Sequence, residues 1–424
     1  MSTPALRSTT VRAGGLVTVE HELEVPLHHP ALGGPADGER ITVFAREVAD
    51  PDGLDRPYLV FLQGGPGNEA PRPTRRPTSP GWLDRALRDF RVLLVDQRGT
   101  GRSTPVGDLP GLTAEQQASY FTHFRADAIV ADCELLREAL GVDRWSVLGQ
   151  SFGGFCATRY LSWAPGSLRE VLVTGGVPAV GRSVDEVYAA TYRAVRERNR
   201  AFHEAYPDDR DRLVALLDAA GSGEVRTPDG AVVGPARVRR LGHLLGTSDG
   251  APRLHHLLEL DHRSPAFRHD LAAALPFGGR NPLYAVLHES CWADGEATRW
   301  SAERVMPDDF RADLTLLTGE HVTPVDLDED PALRPLRDAA HLLAEHEWPR
   351  LYDDAALEAC EVPAAAAVYV EDPYVDRGLS LATVERIPSM RAWVTDDYLH
   401  NGLRADGERV LDRLLGMVRG PGRD

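Results

Sequence analysis

Hydrophobic residues recur with two different periods along this chain, and the places where one gives way to the other divide it. Leu16–Val25 and Arg40–Val48 alternate apolar with polar positions, as half-exposed antiparallel strands do, with a loop rich in Pro, Gly and His between them. Tyr58–Leu62, Phe90–Val95, Trp145–Leu148 and Glu170–Gly176 are instead nearly continuous apolar runs, the pattern of strands covered on both faces. Helical spacing separates them: Ile129, Val130, Cys133, Leu136 and Leu140 predict a helix over Ala126–Leu140, and Phe155–Leu161 is a second helix-compatible segment. Strands alternating with helices predict an α/β protein with a mostly parallel, doubly wound sheet.

From about Gly181 to Tyr352 the strand signal fades. Amphipathic helices are predicted at Val184–Tyr206, Asp211–Ala219, Ala236–Leu245, Arg253–Leu260 and Leu333–Glu347. We read 181–352 as a mainly helical insertion, a cap, in a core made of 1–180 and 353–424. The sheet pattern resumes at Pro363–Val370 and Arg391–Thr395, and a helix over Gly407–Val418 closes the chain.

The sharpest local feature is Gly149-Gln150-Ser151-Phe152-Gly153-Gly154, set between the apolar run 145–148 and the helix that follows. Strand, tight turn and helix are what a nucleophile elbow requires, with Ser151 held in a strained conformation and its hydroxyl exposed above the sheet. An acyl-transfer serine also needs a base, an acid to orient that base, and N–H donors for the oxyanion. In the chain order of α/β-hydrolases the acid follows a later strand and the histidine comes last. His400 alone of the fifteen histidines lies that late, after the final strand run. Asp372 follows the run ending at Val370, and Asp376 is the alternative acid four residues on. Position makes the Phe152 N–H one oxyanion donor. The second comes from Gly64-Gly65-Pro66-Gly67, where glycines let backbone approach a carbonyl, and Gly64 and Gly65 are the candidates. Asp96 and Arg98, in the loop after Val95, are read as structural.

Composition narrows the function classes. A net charge of −17 argues against nucleic acid or an anionic membrane as partner. All 47 basic residues are arginine, which excludes Schiff-base lysines, Ser-Lys dyads and a phosphate-binding lysine of the P-loop kind. Four scattered cysteines form no C-x-x-C pair, and Cys133 and Cys156 read as small buried residues. Met1–Val25 has no signal-type apolar block and no run is long enough to span a bilayer, so a cytoplasmic setting is expected. No H-E-x-x-H motif or nucleotide fingerprint occurs, and His255-His256 and His341…His346 read as helix-surface histidines. Neither a metal nor a cofactor is expected.

Phe61-Leu62-Gln63-Gly64-Gly65-Pro66-Gly67, Asp96-Gln97-Arg98-Gly99-Thr100-Gly101-Arg102-Ser103 and Gly149–Gly154 together resemble the prolyl aminopeptidases (proline iminopeptidases), serine peptidases of the α/β-hydrolase fold. The likeness is to the longer bacterial form and runs over nearly the whole chain, through Tyr284–Cys291 and Trp393–Gly402. Asp396-Asp397-Tyr398-Leu399 is a small departure before the histidine. The resemblance implies Ser151, Asp372 and His400 as the triad, with Asp372 preferred over Asp376 for its separation of 28 positions from His400. It implies short peptides with an N-terminal proline as substrates. It also implies cap glutamates that hold the protonated amine: Glu289, in Leu287-His288-Glu289-Ser290-Cys291-Trp292, and an earlier one, for which Glu259 is our choice. An esterase or amidase of the same fold acting on a small metabolite is the competing expectation; an inactive binding protein is disfavoured because every triad position is filled. Oligomeric state is not legible.

Overall fold

The computed structural model describes residues 6–420; residues 1–5, part of the amino-terminal stretch read above, and 421–424 lie outside the described residues. Nine strands form one sheet: β1 Arg7–Ala13, β2 Leu16–Pro26, β3 Arg40–Ala49, β4 Tyr58–Leu62, β5 Arg91–Asp96, β6 Trp145–Gln150, β7 Leu168–Thr174, β8 Ala364–Tyr369 and β9 Met390–Thr395. Their order across the sheet is β1-β2-β3-β5-β4-β6-β7-β8-β9. The alternating runs are the antiparallel part, with Val17 opposite Ala49 and Phe44 opposite Asp96; from β5 to β9 every neighbour is parallel. β1 is an edge strand that the sequence pattern did not predict, because Arg7-Ser8-Thr9-Thr10-Val11-Arg12 carries too little apolar alternation to signal itself.

The continuous apolar strands are buried on both faces because helices cover both. The core helices are α1 Leu83–Asp89, α2 Ala126–Ala139 and α3 Phe152–Trp163; the cap brings α4 Val184–Ala205, α5 Asp209–Gly221, α6 Gly250–Leu258, α7 Pro282–Leu287 and α8 Arg337–Ala344; α9 Arg377–Glu385 and α10 Gly407–Arg419 return to the core. Alternation along each strand assigns the faces. Leu59, Phe61, Val92, Leu94, Leu148 and Leu172 join Leu83, Leu87, Leu411 and Leu414 of α1 and α10. Val60, Leu62, Leu93, Val95, Val147, Val171 and Val173 join Ile129, Cys133, Phe155 and Cys156 of α2 and α3. All four cysteines are buried and free.

Between β7 and β8 the described chain contributes no strand to the sheet. Its outer part has an apolar cluster of its own, including Phe202, Leu213, Leu241, Leu254 and Leu271, whereas Tyr188, Leu283, Leu287 and Leu343 continue the main core. Two of the expected cap helices are broken. Ala236–Leu245 is a short α-helix to Arg239 followed by a 3-10 turn over Arg240–Gly246, where buried Arg240 is committed to Asp326 and Thr323. Pro335 interrupts Leu333–Glu347, leaving a 3-10 turn before α8. No helix among the described residues is long and apolar enough to cross a membrane.

Asp96 and Arg98 serve the loops around the sheet. The Asp96 carboxylate accepts the N–H groups of Ala70 and Arg102 at 3.1 and 2.9 Å. Arg98 is buried against Asp132 through a two-pronged contact at 2.7 and 2.6 Å, with His29 on the same carboxylate.

Candidate active site

Ser151 lies between the last residue of β6 and the first of α3, with φ 54° and ψ −127°. A non-glycine residue there is strained by about 1–3 kcal/mol. Its neighbours enforce the turn: the Ser151 N–H still pairs with Thr174 O at 3.0 Å, while its carbonyl already accepts Gly154 N–H at 2.7 Å. A Cβ on Gly153 would fall 1.9 Å from Leu62 O, so only glycine lets α3 approach β4 this closely.

The serine hydroxyl is 2.9 Å from His400 Nε2, and His400 Nδ1 is 2.7 Å from Asp372 Oδ2. The other oxygen of Asp372 accepts the N–H groups of Tyr374 and Val375 at 2.9 and 3.0 Å. Both carboxylate oxygens are therefore committed, and the acid cannot turn away. Asp376 does different work: it caps α9, accepting Leu379 N–H at 2.9 Å. Of the two aspartates left open by the residues alone, Asp372 meets His400. The histidine is held from above as well, since its own N–H donates to Gly246 O of the cap at 3.1 Å and Tyr374 packs edge-on to its ring at 4.8 Å.

Gly64 is the point where β4's loop reaches the serine: a Cβ there would lie 2.8 Å from Ser151 Cβ. Its N–H, however, donates to Gln63 Oε1 at 2.9 Å. Gly64 thus supplies closeness rather than a free donor. Gly65 N–H has no acceptor among the described residues, and Phe152 N–H, at the first position of a helix, has none within its helix.

Ser151 and His400 are each 8 % exposed, so charge that develops here is little screened. Burial disfavours an imidazolium at His400, but the charge and hydrogen bond of Asp372 outweigh it. Glu320 adds to them, and His400 titrates above the ordinary histidine value. A histidine acting as base must be neutral, so its rate limb should lie above about pH 6.5. On an uncharged ester, kcat/KM should fall as pH drops through that raised value. Glu320→Gln should move the limb to lower pH, because one negative charge near the imidazolium is removed; an unmoved limb would mean that Glu320 does not sense His400.

Glu320 is the residue that sequence reasoning missed. Its partly buried carboxylate contacts the Tyr284 hydroxyl, lies 3.3 Å from His288 Nε2 and 3.6 Å from His243 Nε2. Burial opposes its ionisation, but the two histidines hold it well below the usual carboxylate range. Its one signal in the sequence is a glutamate between Gly319 and His321, outside any helical period. Glu289 follows His288 in the chain and is also buried. Its Oε1 accepts Ala302 N–H at 2.8 Å, and Oε2 has no partner among the described residues. Burial pushes the Glu289 carboxyl above its ordinary value, against the hydrogen bond from Ala302 N–H. Glu259 is not brought into this cluster. It ends α6 with a half-exposed side chain whose partners, His255 and His256, belong to its own helix. α6 turns that face outward, so Glu259 lies apart from Glu289 and Glu320.

The sequence matches the alpha/beta hydrolase fold family over residues 57–212. It is 44 % identical to the proline iminopeptidase of Aeromonas sobria over 96 % of this chain and 97 % of that one. The chain belongs to the proline iminopeptidase family. The proline iminopeptidase aneH of Aspergillus aculeatus is 30 % identical over 94 % of this chain and 93 % of its own. A third family member, from Xanthomonas citri, matches at 36 % identity over 33 % of this chain and 37 % of that one. The matches to the two long relatives run over nearly the whole chain, the helical segment between β7 and β8 as well as the sheet.

Proposed function

We infer that this protein is a serine aminopeptidase that releases N-terminal proline from short peptides. The observation that carries the reading is the Ser151–His400–Asp372 chain with a cap carboxylate beside it: Glu320 is 3.6 Å from His243, which stacks on Tyr374 at 5.2 Å, and Tyr374 packs on His400 at 4.8 Å. An aminopeptidase has to hold a protonated amine next to the carbonyl it attacks. Glu320 supplies the charge, and Glu289, with an unpaired oxygen and a preference for a cation or proton, supplies a second acceptor.

In this reading His400 Nε2 takes the Ser151 proton as the hydroxyl oxygen attacks the proline carbonyl. The oxyanion is met by the N–H groups of Phe152 and Gly65, with Gly64 giving the close approach. The imidazolium returns its proton to the leaving amine, and the shortened peptide departs. Water, activated by the same histidine, then releases proline from the acyl-enzyme. Asp372 keeps the proton on Nδ1 throughout. The cap, residues 181–352, closes over this site and restricts substrates to short peptides.

The test separates an amine requirement from general hydrolysis. Losing one partner of a buried charge pair costs about 2–5 kcal/mol, roughly 30-fold to several thousandfold in rate. Glu320→Gln and Glu289→Gln should each lower kcat/KM for proline arylamide by at least roughly 30-fold. At the optimum pH neither should much affect a short nitrophenyl ester without an amine. N-acetylation of the proline should cost the wild type a similar factor. Equal losses on both substrates would make the glutamates structural, and indifference to acetylation would end the aminopeptidase reading.

A further inference from the structure

Helix α6 carries a group of side chains that the reaction does not use. Among the described residues, His255, His256 and Glu259 are the one set of three whose potential ligand atoms all lie within 4.8 Å of one another. His255 Nε2 is 3.5 Å from Glu259 Oε1, and His256 Nδ1 is 3.3 Å from Glu259 Oε2. First-row ions bind nitrogen and oxygen at about 2.0–2.2 Å, which sets neighbouring tetrahedral ligands about 3.4 Å apart. The observed spacings are those of such an edge.

A second observation comes from beneath the helix. His255 Nδ1 is 2.8 Å from Asp209 Oδ2 at the start of α5, a carboxylate with no exposed side-chain surface. Tyr206 stacks on the His255 ring at 4.2 Å. Asp209 fixes the proton on Nδ1, so Nε2 presents a lone pair toward Glu259, the arrangement that orients metal-binding histidines.

We propose that His255, His256 and Glu259, backed by Asp209, bind one divalent transition-metal ion of the zinc or nickel class on the cap. The ion sits at the end of α6 remote from the Ser248–Asn401 contact beside the catalytic histidine. It sits on α6, which Asp209 ties to α5 through His255, and takes no part in the hydrolysis. The proposal is independent of the substrate assignment.

Metal-free full-length protein titrated calorimetrically with Ni²⁺, and separately with Zn²⁺, should take up one ion per chain. His256→Ala and Glu259→Gln should each raise Kd at least tenfold, and Asp209→Asn should raise it about 10- to 100-fold. The ion should raise the wild-type Tm and leave that of His256→Ala unmoved. The His256 side chain is 71 % exposed, so His256→Ala should fold and keep wild-type activity on proline arylamide without metal. No binding, or binding of equal strength in wild type and His256→Ala, would overturn the proposal.

Discussion

Ser151→Ala is expected to lower kcat about 10⁶-fold, as loss of a triad nucleophile does in a serine peptidase. The effect is this large because no second nucleophile is poised: His400 Nε2 has the serine hydroxyl as its partner at 2.9 Å, and all four cysteines are buried away in apolar surroundings. Stability should hardly change. The strain at φ 54° comes from the backbone and Cβ, and alanine retains both. Thermal unfolding should therefore place the variant close to the wild type, and a serine-directed phosphonate should label the wild type at Ser151 alone. Labelling at another serine, or more than trace turnover by the variant, would remove Ser151 from the mechanism.

Asp372→Asn is expected to cost about 10⁴-fold in kcat. The direction follows from the hydrogen bonds around the carboxylate. Oδ1 accepts two backbone N–H groups, from Tyr374 and Val375, so an asparagine there must keep its oxygen on that side. Its NH2 then faces His400 Nδ1 across the 2.7 Å contact. A donor facing Nδ1 stabilises the tautomer protonated at Nε2, which cannot accept the serine proton. Asp376→Asn should leave kcat nearly unchanged, because Asp376 only caps α9. At a helix N-terminus asparagine is almost as good an acceptor as aspartate. Steady-state kinetics of the two variants side by side checks the assignment; a larger loss at Asp376 would overturn it.

The glutamates proposed to hold the amine were the least legible part of the site. Glu289 could be named because it sits in a recognisable motif, although its environment could not be read. Glu320 could not, because nothing within its neighbourhood in the chain sets it apart from the many solvated glutamates of the cap. What distinguishes it is burial among His243, Tyr284 and His288, which come from two other cap segments. The side of α6 on which Glu259 falls was hidden for the same reason. A glutamate in an apolar stretch of helix faces inward or outward according to how the helix docks, and Leu257-Leu258-Glu259-Leu260 does not record that.

Short-range pattern was enough for the core. Continuous apolar runs of strand length are stable only with helices on both faces, and all four runs before the cap became inner strands. The elbow was equally local, since a serine forced into a left-handed turn needs glycines at fixed offsets whatever surrounds it. The order of serine, acid and histidine along the chain follows from the same strand pattern. Tertiary structure alone decided which oxygen meets which nitrogen. The choice of Asp372 over Asp376 depends on where the turn after β8 aims two carboxylates. The loss of Gly64 as a free donor depends on a Gln63 side chain folding back. The setting of the cap carboxylate Glu320 depends on segments brought together from distant parts of the chain. Hydrophobic periodicity reports which face of an element is buried, because burial is a property of the element. It carries no record of the partner on the far side of a contact, because that is set by the packing of the whole chain.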